Sequence, residues 1–185
     1  MASATLCVPR VFAAIVGDRT PDLLPRALAA LDRHGAKIAH RDWIGIVDFG
    51  KASRTRRFYL VDLAGGRTTS LLVSHGRGSD PGNSGWLQSF SNRPGSEASS
   101  QGSFLTGDTY YGKHGRSRRL YGLEASNDQA ARRAIVIHSA SYVSDDVAEQ
   151  SGRIGRSQGC FAVGGSELDI VLARLGPGRL LFAAN

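Results

Sequence analysis

The chain has 185 residues, the length of about one domain, and 41% of them are hydrophobic against 21% charged, which excludes wholesale disorder. Two cysteines, Cys7 and Cys160, exclude a disulfide-stapled mini-domain and a four-cysteine zinc site, and no stretch approaches the ~20 apolar residues of a membrane span. Lys plus Arg is 23 against 16 Asp plus Glu, a formal +7, which suits an anionic partner without choosing among nucleic acid, an acidic membrane face and acidic cell-wall polymer.

Residues 1–18 are apolar but interrupted by Pro9 and Arg10, with no basic start, so they read as a poor leader or a disordered arm, and Cys7 within them is given no function. Residues 19–185 read as a single domain. Thr20-Pro21 suits a helix start. Leu24, Leu28 and Leu31, with Ala27 beside them, then share a face, and Gly35 is expected to close the helix in a left-handed conformation, so the pattern predicts a helix over 21–34. Short apolar or alternating runs follow at 44–49, 58–63 and 70–74, with Gly65-Gly66 as a hairpin signal. Between Ser74 and Ser103 lies a Gly- and Ser-rich stretch too long for an ordinary loop, of the kind that is functional or disordered. Weaker strands are expected at 103–107 and 120–123. A buried one, AIVIH, is expected at 134–138, and two more at 160–163 and 179–183. Ser166 with Asp169 reads as a variant capping box for a second helix, in which Leu168, Val171, Leu172 and Leu175 recur at helical spacing until Gly176-Pro177 stops it. Seven or eight short strands and two helices make a mostly-β, α+β domain.

The basic residues are scattered. Arg54, Arg56 and Arg57, and then Arg116, Arg118 and Arg119, read as solvated loops. With 8% aromatics and no basic-aromatic interleaving, nucleic-acid binding finds no support.

Chemistry concentrates at His138, which ends the AIVIH strand, and at Cys160 in Arg156-Ser157-Gln158-Gly159-Cys160. A nucleophilic thiolate needs a lowered pKa, a base within hydrogen-bond reach and donors for an oxyanion. A glycine just before the cysteine lets backbone amides approach a reacting carbonyl. A strand-end His followed by a loop returning to Cys can bring the two together. On residue types alone, a small core cysteine and a satisfied core histidine are the readings to beat.

The segment IVIHSASYVSDDVAEQSGRIGRSQGCFAV resembles the active-site segment of the L,D-transpeptidases, most closely the murein L,D-transpeptidase catalytic domain branch. VDFGKASRTRRFYLVDL, LLVSHGRGSDPGN, FSNRPGSEASSQGSFLTGDTYYGKHG and RRLYGLE are similar to that branch as well, so the likeness spans about residues 24–183. It implies an L,D-transpeptidase-like β-sandwich or barrel with an N-terminal helix and a C-terminal-region helix. It implies Cys160 as nucleophile, His138 as its base, Ser157 as the motif serine that orders the loop, and Gly159 with its flanking amides in the oxyanion hole. Tyr111 and His114 fall on a segment expected to line the substrate groove, and Ser100 and Gly102 look structural. Ser139 stands where the family usually has Gly, Gln158 where it has His, and Ala162 where it has Arg or Asn. Ser139 is grouped with the substrate-binding positions. Arg156 or Arg153 is then left to supply a charge for the substrate carboxylate, and His75 is weighed as a loop residue that could reach the site.

The resemblance further implies peptidoglycan stem peptides as partner and substrate, no metal or organic cofactor, and a periplasmic or wall-associated location. The thioester formed on loss of D-alanine would be resolved by a second stem's amine or by water. Two alternatives stand beside it: a catalytically decayed wall-binding homologue, and a sortase-like thiol acyltransferase, in which only Arg179 could serve as the downstream arginine.

Overall fold

The computed structural model describes residues 21–185; the N-terminal arm, Cys7 and the Thr20 cap lie outside them. Three α-helices, α1 (Leu24–Arg33), α2 (Asp145–Ser151) and α3 (Leu168–Arg174), accompany eight strands. The strands are β1 (Trp43–Asp48), β2 (Phe58–Asp62), β3 (Arg67–Leu71), β4 (Gly102–Gly112), β5 (Gly115–Gly122), β6 (Val136–Ser139), β7 (Phe161–Val163) and β8 (Leu180–Ala184). They form one sheet in the order β3-β2-β1-β8-β4-β5-β6-β7. Its pairs are antiparallel except β1 with β8 and β6 with β7. The chain leaving β3 nearly closes this sheet into a barrel: the Ser74 N–H donates to the Ala162 carbonyl and the Ser157 N–H to the His75 carbonyl, both at 2.9 Å. The mostly-β α+β reading therefore holds.

WIGIVD, FYLVD and LLFAA are continuous apolar runs because β1, β2 and β8 are buried on both faces. Inside, Val47, Phe58, Leu60, Phe104, Ile137, Phe161 and Leu181 pack with Leu168, Val171 and Leu172 of α3. Outside, Leu24, Ala27 and Leu31 of α1 cover Ile44, Ile46, Leu180 and Phe182. Among the described residues no helix is long and apolar enough to cross a membrane.

Several expectations are corrected. The first helix starts at Leu24, with Pro25 rather than Pro21 in its first turn, and Gly35 is not left-handed; the last turn is closed by His34 and Gly35 amides on the Ala30 and Asp32 carbonyls. The Ser166 hydroxyl does not cap α3, whose N-cap is Glu167 without a side-chain bond. A third helix, α2, lies in the 138–160 return, capped by Ser144 Oγ accepting from the Val147 N–H at 3.1 Å. Strands β4 and β5 run far beyond 103–107 and 120–123 as a ribbon with Gly112 opposite Gly115, which leaves Lys113 and His114 as a two-residue tip. The solvated-loop reading fails for Arg57 and Arg118, which are buried. Arg118 donates to the Gly107 and Leu172 carbonyls, and Arg57 to those of Val73 and Lys51. Main-chain carbonyls thus stand in for water at both guanidinium groups, although Arg118 Nε keeps no partner among the described residues.

Candidate active site

Three pieces of backbone meet beside the β6–β7 edge. Strand β6 pairs in parallel with β7, with His138 opposite Ala162, two residues past Cys160. The tip of the β4–β5 ribbon folds over the same place, since Ser117 lies opposite His138. The third piece is the 74–103 segment, which is packed rather than loose: Ser74, His75, Ser79, Asp80, Ser99 and Ser100 are all buried.

Gly76 and Gly159 permit this crossing. A Cβ on Gly76 would sit 2.3 Å from the Glu97 carbonyl oxygen and 2.8 Å from the Gly159 nitrogen. Gly159 has φ +108°, and a Cβ there would stand 2.6 Å from the Ala98 carbonyl oxygen. Cys160 follows directly and enters β7 from a fixed direction.

Cys160 and His138 line one open cavity of about 500 Å³, together with Tyr110, Lys113, His114, Arg133, Tyr142 and Arg156, among others. Nδ1 of His138 lies 2.8 Å from the Ser139 carbonyl. A carbonyl only accepts, so Nδ1 carries the proton and Nε2 keeps a lone pair. Burial lowers the pKa of His138, which outweighs the Ser139 bond that raises it; the His114 and Lys113 charges lower it further. The imidazole is a neutral base at neutral pH. Its ring stacks on that of His114, with centroids 4.2 Å apart and planes at 18°.

The thiol departs from expectation. Burial pushes the Cys160 pKa up, while the Val136 N–H and the charges of Lys113 and Arg133 only partly offset it. At rest the sulfur is a thiol, 3.6 Å from the Ala134 carbonyl. The cavity thus holds a neutral thiol and a neutral imidazole along one lining.

Ser157 Oγ donates to the Cys160 carbonyl at 2.7 Å. It also accepts from the Gly159 N–H at 3.1 Å, so that amide is turned inward and does not face a reacting carbonyl. This corrects the oxyanion-hole assignment of Gly159 and leaves the Cys160 N–H as the donor to consider from that pair.

His114 and Arg156 reach the cavity. Arg156 donates to the Asp80 carbonyl, while Arg153 lies outside the lining and donates to the Ser151 carbonyl at 3.3 Å. Tyr111 does not reach the cavity: it is 82% exposed, and its neighbour Tyr110 lines the wall, because successive ribbon residues face opposite ways. Ser139 lies outside the lining and acts on His138 through its carbonyl. His75 is buried away from the cavity: Nδ1 accepts from Arg57 Nη2 at 2.8 Å and Nε2 donates to Asp80 Oδ2 at 3.2 Å. Asp80 in turn accepts from the Ser84 and Gly85 amides at 2.8 and 2.9 Å, which pins the loop that carries the Arg156 contact.

That cluster makes stability depend on pH. Burial, then the Arg57 charge, lowers the His75 pKa from 6.5 to about 4. Between those values the unfolded chain takes up a proton that the folded protein refuses, so stability falls as pH falls from 6.5 to 4, by about 3 kcal/mol. Urea melts across this window are expected to show that slope, and His75→Asn to flatten it while lowering stability at pH 7. An unaltered slope in the variant would contradict the assignment.

The model of the L,D-transpeptidase catalytic domain matches residues 18–184, nearly the whole chain. The chain belongs to the L,D-transpeptidase catalytic domain family. No curated protein matches it by sequence. Among solved structures it is similar to L,D-transpeptidase 3 from Mycobacterium tuberculosis, with 10% identity over 78% of this chain and 61% of that one and a TM-score of 0.50. An L,D-transpeptidase from Mycobacterium smegmatis gives 11% identity over 78% and 59%, with a TM-score of 0.46. An L,D-transpeptidase from Stackebrandtia nassauensis gives 11% over 80% and 58%, with a TM-score of 0.43. These identities speak for the fold alone, and the chain spans about three fifths of the length of those structures.

Within this L,D-transpeptidase domain, sequence reasoning overlooked Tyr110, Lys113, Arg133 and Tyr142 as cavity residues. Lys113 and Tyr110 sat inside the TYYGKHG motif, and Arg133 just ahead of AIVIH. The sortase-like alternative loses its arginine, because Arg179 pairs with Asp42 through Nε at 2.9 Å and Nη2 at 2.7 Å, outside the cavity. Among the described residues no three His, Cys, Asp or Glu side chains gather as a metal site.

Proposed function

We propose that the domain is a cysteine-dependent acyltransferase that acts on peptidoglycan tetrapeptide stems, outside the cytoplasmic membrane. The observation that carries this reading is one cavity wall that holds both a thiol, Cys160, and an imidazole, His138, whose Nε2 keeps its lone pair. Cys160 Sγ attacks the carbonyl carbon of the stem's third residue as its proton passes to His138 Nε2. The Cys160 N–H, at the head of β7, is the donor nearest the developing oxyanion in this scheme. The carbon–nitrogen bond to D-alanine breaks, His138 returns the proton to the leaving nitrogen, and a thioester is left on Cys160. An amine on a second stem then attacks the thioester and loses its proton to His138. The thiol is restored, and the third residues of two stems are joined. With water in place of the amine the same cycle is a carboxypeptidase reaction.

The intact pair, the pinned 74–103 segment and the open cavity support a working enzyme over a decayed wall-binding homologue. Incubation of the purified protein with a disaccharide-tetrapeptide, followed by mass analysis, is expected to show tripeptide, free D-alanine and a dimer joined between third residues. No product beyond the untreated control would overturn the proposal.

A further inference from the structure

The cavity that holds Cys160 is lined by four cationic side chains, Arg77, Lys113, Arg133 and Arg156, and by no carboxylate. Three of them are already engaged. Arg77 is paired with Glu97. Arg133 donates to the Ser91 carbonyl at 2.8 Å and to Ser100 Oγ at 2.6 Å, and also to the Ala98 carbonyl. Arg156 donates to the Asp80 carbonyl. Lys113, exposed at the ribbon tip, has no hydrogen bond or ion pair among the described residues. Its charge nonetheless reaches both reacting groups, since it disfavours protonated His138 and favours the Cys160 thiolate.

The side of the site on which Lys113 stands is fixed by its neighbour. The His114 ring is stacked on His138, so the tip lies over the base. Under the acyltransferase reading, on which this inference rests, the base hands its proton to the leaving nitrogen, so the leaving residue sits on that side. The nearest anion there is the leaving residue's own carboxylate, one Cα beyond that nitrogen. An ammonium with no other partner, on a tip free of acidic neighbours in the cavity wall, is the group that can take it.

We propose that Lys113 is the carboxylate receptor of the site, a specificity residue whose ammonium binds the free C-terminal carboxylate of the residue that leaves.

Two measurements test this. The first compares kcat/KM for a tetrapeptide stem with a free C-terminal carboxylate against the same stem as its C-terminal amide. The wild type is expected to prefer the acid by roughly 10- to 100-fold, the range of a hydrogen bond to a charged group. Lys113→Met is expected to collapse that ratio toward one, and Lys113→Arg to keep most of it. A ratio near one in the wild type, or a ratio unchanged in Lys113→Met, overturns the proposal. The second needs no peptidase activity. It follows alkylation of Cys160 by iodoacetate and by iodoacetamide at one pH, where a shift in thiolate fraction cancels in the rate ratio. Lys113→Met is expected to lower the iodoacetate-to-iodoacetamide ratio at least several-fold, and an unchanged ratio overturns the proposal even if no stem is processed. If no stem is processed but the alkylation ratio falls, the acyltransferase reading fails while the anion-binding lysine stands.

Discussion

Cys160→Ala is expected to reduce D-alanine release from tetrapeptide stems by on the order of 10⁴ or more, because it removes the thiol that carries the acyl group in the proposed cycle. Among the described residues Cys160 is the one free cysteine. The change removes a single sulfur from a site already supported by Gly159, Ser157 and the Ala134 carbonyl. The folded state is therefore expected to lose only about 1 kcal/mol, the centre of the range for point substitutions. A chemical melt and a release assay on the same preparation separate the two effects. A variant that keeps a tenth of the wild-type rate would move the nucleophile elsewhere.

His138→Ala is expected to lower kcat/KM by roughly 10² to 10⁴, the scale of a general base. Its signature is the pH profile. Burial holds the His138 pKa below its ordinary 6.5, so the lone pair on Nε2 is present down to a pH under that value. Wild-type kcat/KM should then rise with pH along an acid limb that inflects below 6.5, and that limb should vanish in His138→Ala. Since burial also raises the Cys160 pKa, the wild type does not rest as a thiolate–imidazolium pair, and loss of the base is felt in the bond-making step. An acid limb that survives in the variant would assign that titration to another group. The His114 ring stacked on His138 is the first to examine.

Much of the fold is legible because the barrel buries what it needs to bury. AIVIH, FYLVD and RLLFA are apolar on successive residues since both of their faces are covered, and each yields a strand close to where periodicity sets it. The β4–β5 ribbon is less legible. Thr109–Gly112 and Gly115–Ser117 project from the barrel, carry exposed polar residues and offer no apolar alternation, so the pattern stops before the strands do. That projection carries Lys113 and His114 to the base, and it decides which of Tyr110 and Tyr111 faces the cavity. Helix α2 is short and offers one buried residue, Ala148, too little for a periodicity signal, although Ser144 and Gly152 mark both its ends. Arg57 illustrates a further limit. Composition rules place a guanidinium outside, but Val73 and Lys51 turn their carbonyls inward and His75 accepts the remaining donor.

That His138 and Cys160 come to one cavity is legible from order and residue type, and the family motifs sharpen it. The direction of the Gly159 amide is not, because it depends on a φ of +108° and on the Ser157 hydroxyl that captures it. The state of the thiol is not legible either: it balances burial against Val136 and Arg133 from one segment and Lys113 from the ribbon tip.

The central claim is that Cys160 carries the acyl group. Intact-protein mass spectrometry after incubation with a carbapenem tests it most directly, since a thiol that opens the strained lactam keeps the whole reagent and loses nothing. One adduct of the full reagent mass is expected, mapped by peptide digestion to the fragment containing Cys160 and missing in Cys160→Ala. An adduct of the same mass on another residue, or stem processing with Cys160 blocked, would contradict the account.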